Sequence, residues 1–265
     1  MALFGLLDGM MNDKENVTVV IATHNNAKTI ERALRSVTHG IRPANQVIIG
    51  DNDSTDGTYD VLCGLVGAEQ VTIEEQTGMP PQFDGEVDGT PVRIFRKRLS
   101  TIGDTLNIAL QMKWQGATWF GFMDPTSWYA PDKIAQAIRI GQTKPSVACV
   151  VSDFDNHHPD GRIERVFRCS FDMQRLLANF PYDRNFLMRP QVFPKLQAGF
   201  NTNMPIRDDY DMLLRIAEIG LIYHIPAPLH RNTVGKIDEA TQQSINQCEM
   251  MARQMANQRR GNQNG

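Results

Sequence analysis

Apolar and polar positions fall along this chain in blocks that switch between two periods. Val17–Ala22 and Val47–Gly50 are short, β-branched apolar runs that end in polar turns. Strands buried on both faces of a parallel sheet have this pattern. Between them, Ile30, Ala33, Leu34 and Val37 recur at helical spacing within Ala27–Thr38, so the stretch predicts a βαβ unit. The first strand empties into Thr23-His24-Asn25-Asn26 and the second into Asp51-Asn52-Asp53-Ser54-Thr55-Asp56-Gly57. Open α/β sheets bind ligands at the carboxyl ends of their strands, so these two turns are where a site is expected.

Farther along, the pattern predicts a helix over Thr58–Leu65, a short strand over Val71–Gln76 and a strand over Pro91–Arg98. Thr77–Gly89 is rich in Pro, Gly and Asp and reads as an irregular excursion. A helix is predicted over Ile102–Gln115, closed by Gly116, and then an apolar strand, Trp119–Met123, that delivers Asp124. Pro131 opens the next helix, to Ile140. Val147–Phe154 is β-rich and reads as a hairpin with Arg162–Arg168 across Asp160-Gly161. Phe171–Gly199 breaks into helical turns and loops, Asp209–Ile219 is a helix stopped by Gly220, and Leu221–Ile225 is a last strand. Ile237–Met255 is amphipathic, and the polar end, Arg-Arg-Gly-Asn-Gln-Asn-Gly, is expected to be disordered.

Composition narrows the class of protein. Hydrophobic residues at 41% and charged residues at 22% of 265 are ordinary for a globular chain that buries a sizeable core. The net charge of −3 gives no general reason to expect a polyanionic partner, although a local basic patch can act alone. Four cysteines (Cys63, Cys149, Cys169, Cys248) show no CxxC spacing, which suits reduced thiols and a cytoplasmic location. No apolar run reaches the ~18 residues of a membrane span. Met1–Met11 is apolar but lacks a basic flank and meets Asp8, so it reads as an arm packing on the domain or on a neighbour. A weak membrane-surface contact is the alternative reading of that arm.

Three clusters carry candidate chemistry. Asp51-Asn52-Asp53 offers acceptors for a ribose or a base edge, or simply forms a turn whose Ser54, Thr55 and Asp56 cap the next helix. Asp124, at the end of a buried strand, suits a divalent metal shared with phosphate oxygens, although one carboxylate is a thin site. Arg207-Asp208-Asp209-Tyr210-Asp211 opens a helix, where acidic residues either cap the N-terminus or supply a general base. Arg96-Lys97-Arg98 is either a solvated face or a clamp on a phosphate. His24, His157, His158, His224 and His230 lack HxxxH or HxH spacing, so no zinc site is built from them.

Taken in order, VTVVIATHNN, VIIGDNDSTDGT, GFMDPTSWYAPDKI, AGF and RDDYDMLLRIAEIG resemble the motifs of family 2 glycosyltransferases. These are inverting enzymes with the GT-A nucleotide-sugar-binding fold. The resemblance spans roughly Val17–Leu65, Ser100–Ala137 and Gln197–His230. It implies an α/β fold with a Rossmann-like, mostly parallel central sheet flanked by helices, an acceptor-side subdomain and a C-terminal helix. The implied organisation is an arm over 1–16, a glycosyltransferase domain over 17–235 and a C-terminal helix with tail over 236–265. The domain's nucleotide half is about 17–125 and its acceptor half about 126–235.

By the same resemblance, Ala22-Thr23-His24-Asn25 stands where the family has Pro-Thr-Tyr-Asn, and His24 takes the place of the aromatic that lies on the base. Asp51-Asn52-Asp53-Ser54 matches a base- and ribose-binding turn, and Asn107 and Arg98 fall on the nucleotide side. Asp124-Pro125-Thr126 matches the Asp-x-Asp stretch that holds ribose and metal, implying Mg²⁺ or Mn²⁺ at Asp124. Asp208-Asp209 matches the Glu-Asp pair whose second member deprotonates the acceptor hydroxyl. Thr126 departs from the pattern by replacing the second carboxylate, and Leu106 stands where many members carry Arg. The family's later Arg and His are not recoverable from His230-Arg231-Asn232-Thr233-Val234-Gly235-Lys236. The function implied is sugar transfer from a nucleotide-sugar, a UDP-sugar first, to a hydroxyl on a saccharide, a protein or a modified nucleic acid. Arg98 or Arg231 is expected to help the diphosphate leave. The rival readings are a binding relative without turnover and a nucleotidyltransferase. The latter needs a Gly-rich basic loop where Ala-Thr-His-Asn-Asn-Ala-Lys-Thr stands.

Overall fold

The computed structural model describes residues 15–67, 69–71, 79–112, 116–168, 172–178, 182–196, 199–235 and 237–263. The arm expected over 1–16 lies outside them up to residue 14, as do most of the strand expected over Val71–Gln76, the last turn of the helix expected to Gln115, and Cys169.

The strands are β1 (Val17–Thr23), β2 (Gln46–Asp51), β3 (Glu69–Val71), β4 (Gln82–Val87), β5 (Thr90–Arg96) and β6 (Trp119–Met123). They continue with β7 (Ser127–Tyr129), β8 (Val147–His157), β9 (Ile163–Val166), β10 (Leu187–Met188) and β11 (Leu221–Thr233). The helices are α1 (Ile30–Thr38), α2 (Thr58–Val66), α3 (Ile102–Gln111), α4 (Lys133–Thr143), α5 (Met173–Ala178), α6 (Asp208–Ile219) and α7 (Glu239–Gln263). A 3₁₀ segment, Pro190–Lys195, follows β10.

One sheet runs β3-β4-β5-β2-β1-β6-β10-β8-β11-β7, with β9 paired to β8. β5, β2, β1 and β6 are parallel neighbours. β10 is antiparallel to both β6 and β8, so β8 and its parallel neighbour β11 run with the same group. The period-2 pattern of β1 feeds two cores. Val17, Val19 and Ile21 face α1, α2 and α4, while Val20 and Ala22 face α3, α6 and α7. Every residue of β1 and β2 is buried, as strands covered on both faces must be. Gly50 lets α3 approach β2 closely, since a Cβ there would lie 2.3 Å from Thr105 and 2.5 Å from the Phe95 ring.

Four expectations are corrected. The stretch Thr77–Gly89 is not irregular throughout, because Gln82–Val87 is β4, the partner of β5 in a hairpin. Its turn residues Asp88 (φ 54°) and Gly89 (φ 76°) both take positive φ, the two-residue turn that matches strand twist. As a strand near the sheet edge, β4 keeps polar residues that hide it from an apolar pattern.

The last strand does not stop at Ile225 but runs to Thr233. Pro226 and Pro228 cannot donate to a ladder, so the register with β8 shifts on either side of Pro228 and pairing then resumes. β10, inside the segment read as turns and loops, is two residues inserted between β6 and β8. Finally, the polar C-terminal stretch is helical through Gln263. Cys248, Ala252 and Ala256 form a buried stripe against α6, and Arg259 pairs with Glu218 at 2.9 Å.

Candidate active site

The site is built where β1, β2 and β6 end. The first two turns interlock through their own polar groups. His24 Nδ1 lies 2.7 Å from the Asn52 carbonyl, and Asn25 Oδ1 accepts from the Thr55 N–H at 2.8 Å. The N–H groups of Asn25, Asn26 and Ala27 donate to Ser54, Thr58 and Asp56 at 2.9, 2.8 and 3.0 Å. A phosphate-cradling loop offers such N–H groups to its ligand, and here they hold side chains. Asn25 (φ 56°) and Asp53 (φ 56°) occupy the left-handed region, which Asn and Asp tolerate better than other non-glycine residues.

Asp51 is fully buried and accepts hydrogen bonds from the Ser54 hydroxyl and N–H. Arg96 Nε lies 3.3 Å from Asp51, and its Nη2 reaches Asp53 at 3.3 Å and the Ser54 carbonyl at 2.7 Å. Arg96 is therefore the internal counter-ion of this turn. Asn52 Oδ1 accepts from the Leu99 N–H, tying the turn to the segment after β5, where Arg98 is exposed. Of the predicted set, Ala22, Thr23, His24, Asn25, Asp51, Asn52, Asp53 and Asp124 gather at these strand ends. Asn107 faces elsewhere. It pairs with both the N–H and the carbonyl of Phe200, at 2.7 and 2.9 Å, and lines a mostly apolar cavity of 580 Å³ with Thr18 and Phe120 from the strand starts.

Asp124 follows β6 and is half-buried, and its Oδ1 accepts from the Thr126 N–H and hydroxyl at 2.8 and 2.6 Å. Asp208 and Asp209 open α6 after Arg207, itself in the left-handed region at φ 63°. Each carboxylate folds back onto a helix N–H, Asp208 onto that of Asp209 and Asp209 onto that of Tyr210. Capping and a charged site coexist here. Asp209 is only 6% exposed, and burial first of all, then the neighbouring Asp208, raises its carboxyl to about 6 against the pull of Arg184 and Arg207.

Several groups at the site were given no role by the sequence. Arg184 Nη2 donates to Asp208 Oδ1. Asp183 Oδ2 accepts from His230 Nε2 and Asn232 Nδ2, both at 2.9 Å. Lys133 Nζ donates to the Asn185 carbonyl at 2.8 Å and lies 3.1 Å from His230 Nδ1. Burial brings Lys133 down to about 7 and His230 down to about 4, so the imidazole stays neutral. With Lys133 at Nδ1, the ring proton belongs on Nε2, facing Asp183. A signal for these residues does exist. Asp183-Arg184-Asn185 abuts the apolar Phe186-Leu187-Met188, which is a polar turn beside a strand. Because β10 is antiparallel, it is the start of this strand, and not its end, that reaches the site.

These donors do not fit a resident divalent cation at Asp124. Thr126 takes up one oxygen of the lone carboxylate and offers no second one, and Arg184 brings a positive charge to the same place. Among the described residues no three His, Cys, Asp or Glu side chains converge as a metal site.

The model of Glycosyl transferase family 2 matches residues 18–212. The chain belongs to this family. Among its relatives are the hyaluronan synthase of Pasteurella multocida, 24% identical over 224 residues (84% of this chain), and the chondroitin synthase of Escherichia coli, 24% identical over 210 residues (79% of this chain). The chain spans only 21% and 27% of the lengths of those two proteins. Among solved structures, S. aureus TarS 1–349 in complex with UDP-GlcNAc superposes with a TM-score of 0.64 at 12% identity, over 88% of this chain and 65% of that one. Mannosyltransferase PcManGT from Pyrobaculum calidifontis, in complex with GDP-Man and Mn²⁺, gives 0.56 at 16% identity, over 91% and 66%. The fold is thus the GT-A arrangement of family 2. Among the described residues no helix is long and apolar enough to cross a membrane.

Proposed function

We propose that this chain is an inverting glycosyltransferase that moves a sugar from a nucleoside diphosphate sugar to an acceptor hydroxyl, with Asp209 as general base. The observation that carries this reading is Asp209 itself, a buried carboxyl raised to about 6 in the first turn of α6, beside Arg184 and Asp208. A base near the working pH is the most effective one, because it is ionised and still basic enough to take a proton. Asp209 removes the acceptor proton while the acceptor oxygen attacks the anomeric carbon. The bond to the phosphate oxygen breaks on the opposite face, and the nucleoside diphosphate leaves with the bonding electrons. Asp51, Asn52 and Asp53, at the end of β2, take the nucleoside, and the His24 ring lies on its base.

A UDP-sugar is the first donor to try, supported by the TarS complexes with UDP and UDP-GlcNAc. A saccharide hydroxyl is the first acceptor, supported by the synthase relatives. Donor turnover is measured by nucleotide release from UDP-sugars and GDP-mannose, with the anomeric product read by NMR. Turnover that Asp209→Asn reduces by ~10²–10⁴-fold bears out the base. An unchanged rate in that variant refutes it. Tight binding of a donor without any release identifies a binding relative.

A further inference from the structure

Arg184 is a charged group at this site that neither the motifs nor the family resemblance assigns. It lies between two anchored residues. Asp183 is held by His230 and Asn232, and Asn185 by Lys133. The Asp124 N–H also donates to Asn185 Oδ1 at 3.3 Å, so the Arg184 segment packs directly on the end of β6. The Arg184 side chain is 14% exposed, and Asp208 is its hydrogen-bonded partner. Among the described residues its Nε is buried with no hydrogen-bond partner, and so is Oδ2 of Asp208. Burial opposes its charge, but Asp208, Asp209 and Asp124, reaching it from two different elements, keep the guanidinium firmly protonated.

This arrangement answers a chemical requirement that Asp124 and Thr126 leave open. A departing diphosphate gathers negative charge, and a fixed cation already aimed at that place is the strongest aid to its departure. Guanidinium is always charged, and its forked N–H groups match phosphate oxygens two at a time. A divalent ion at Asp124 would instead share the space with a buried positive charge, at a Coulomb cost that a low dielectric magnifies.

We propose that Arg184, and not a divalent metal, is the cation that binds and stabilises the donor's diphosphate. The pairing with Asp208 holds the guanidinium in readiness, and the 14% of the side chain that stays exposed is what a phosphate oxygen can meet. The inference rests on the nucleotide-sugar reading above, and the experiment keeps the two apart.

Calorimetric titrations compare UDP with uridine, and GDP with guanosine, in EDTA and in Mg²⁺, for the wild type, Arg184→Gln and Arg184→Lys. The expected result is diphosphate binding to the wild type that differs less than twofold between EDTA and Mg²⁺. Arg184→Gln then weakens the diphosphate more than tenfold in both buffers, leaves the nucleoside unchanged, and is partly rescued by Arg184→Lys. Because Arg184→Gln leaves Asp208 buried without its cation, the double variant Arg184→Gln/Asp208→Asn is titrated alongside, with melting curves to show that each is folded. Diphosphate binding that appears only with Mg²⁺ overturns the proposal, and so does a folded Arg184→Gln or double variant that binds the diphosphate like the wild type. A wild type that binds neither diphosphate nor nucleoside in either buffer overturns the nucleotide reading beneath it.

Discussion

Asp209 carries two opposed consequences of burial. Its carboxyl rises from 3.8 to about 6, so the ionised form needed for proton abstraction builds up only as the pH passes that value. The rate of transfer is expected to fall below about pH 6 and to level off above it, as a pH profile of kcat/KM will read. Stability runs the other way. Below about 3.8 both states are protonated and no charge is buried; stability is lost as the pH rises from 3.8 to about 6, where the unfolded chain ionises first, and the loss is complete above it. Asp209→Asn is therefore expected to melt higher relative to the wild type at about pH 7.5 than at about pH 4.5, and a constant difference in Tm would refute this. Asp53 gives a second residue-scale expectation. It adopts φ 56°, and its ion pair with Arg96 at 3.3 Å is exposed and so contributes little. Asp53→Gly should hold or gain stability, whereas Asp53→Ala should lose about 1 kcal/mol, in chemical denaturation.

Among the elements, β4, the partner of β5 in a hairpin, and β10 both lie in stretches whose patterns do not look like strands. The hairpin depends on Asp88-Gly89. Among the described residues nothing lies within 4 Å of a Cβ placed on Gly89, so its φ of 76° sets the cost of adding one. Gly89→Ala should cost about 1 kcal/mol in denaturation and leave transfer at moderate temperature unchanged, because the turn is at the opposite ends of the strands from Asp209. A loss of activity at full folding would show that the edge of the sheet feeds the site. β10 is too short to be legible, yet its antiparallel direction brings Asp183, Arg184 and Asn185 beside Asp124.

At the scale of the whole molecule, α7 decides how firmly α6 presents its first turn. Cys248, Ala252 and Ala256 are buried against α6, Arg253 donates to the Tyr210 hydroxyl at 3.2 Å, and Glu249 pairs with Arg207 at 3.3 Å. Arg207 is the strained residue directly before Asp208, so the far end of the chain holds the base in place. Removing residues 248–265 is expected to lower Tm and to depress kcat more than the KM for donor, since the nucleotide turns stay intact. An equal loss in both would place the effect on the fold alone.

By itself the sequence determined the parallel strands β1, β2 and β6, the helices between them, the turns at their ends and the start of α6. Each is a local pattern, with apolar runs of one period closed by residues that turn or cap a chain. The same local reading reached Asp51, Asp124 and Asp209, because a carboxylate at the end of a buried strand or the start of a helix can be seen without knowing its neighbours. Only the tertiary structure decided what surrounds them. Arg96 turns back to Asp51, Asn107 serves Phe200, and Lys133, Asp183, Arg184 and His230 converge from segments with no shared motif. A polar side chain's role depends on the partner it meets, and these partners lie tens of residues apart in the chain. The last turns of the C-terminal helix, to Gln263, were hidden for the same reason: their polar sequence gains order from the α6 surface, where Arg259 meets Glu218.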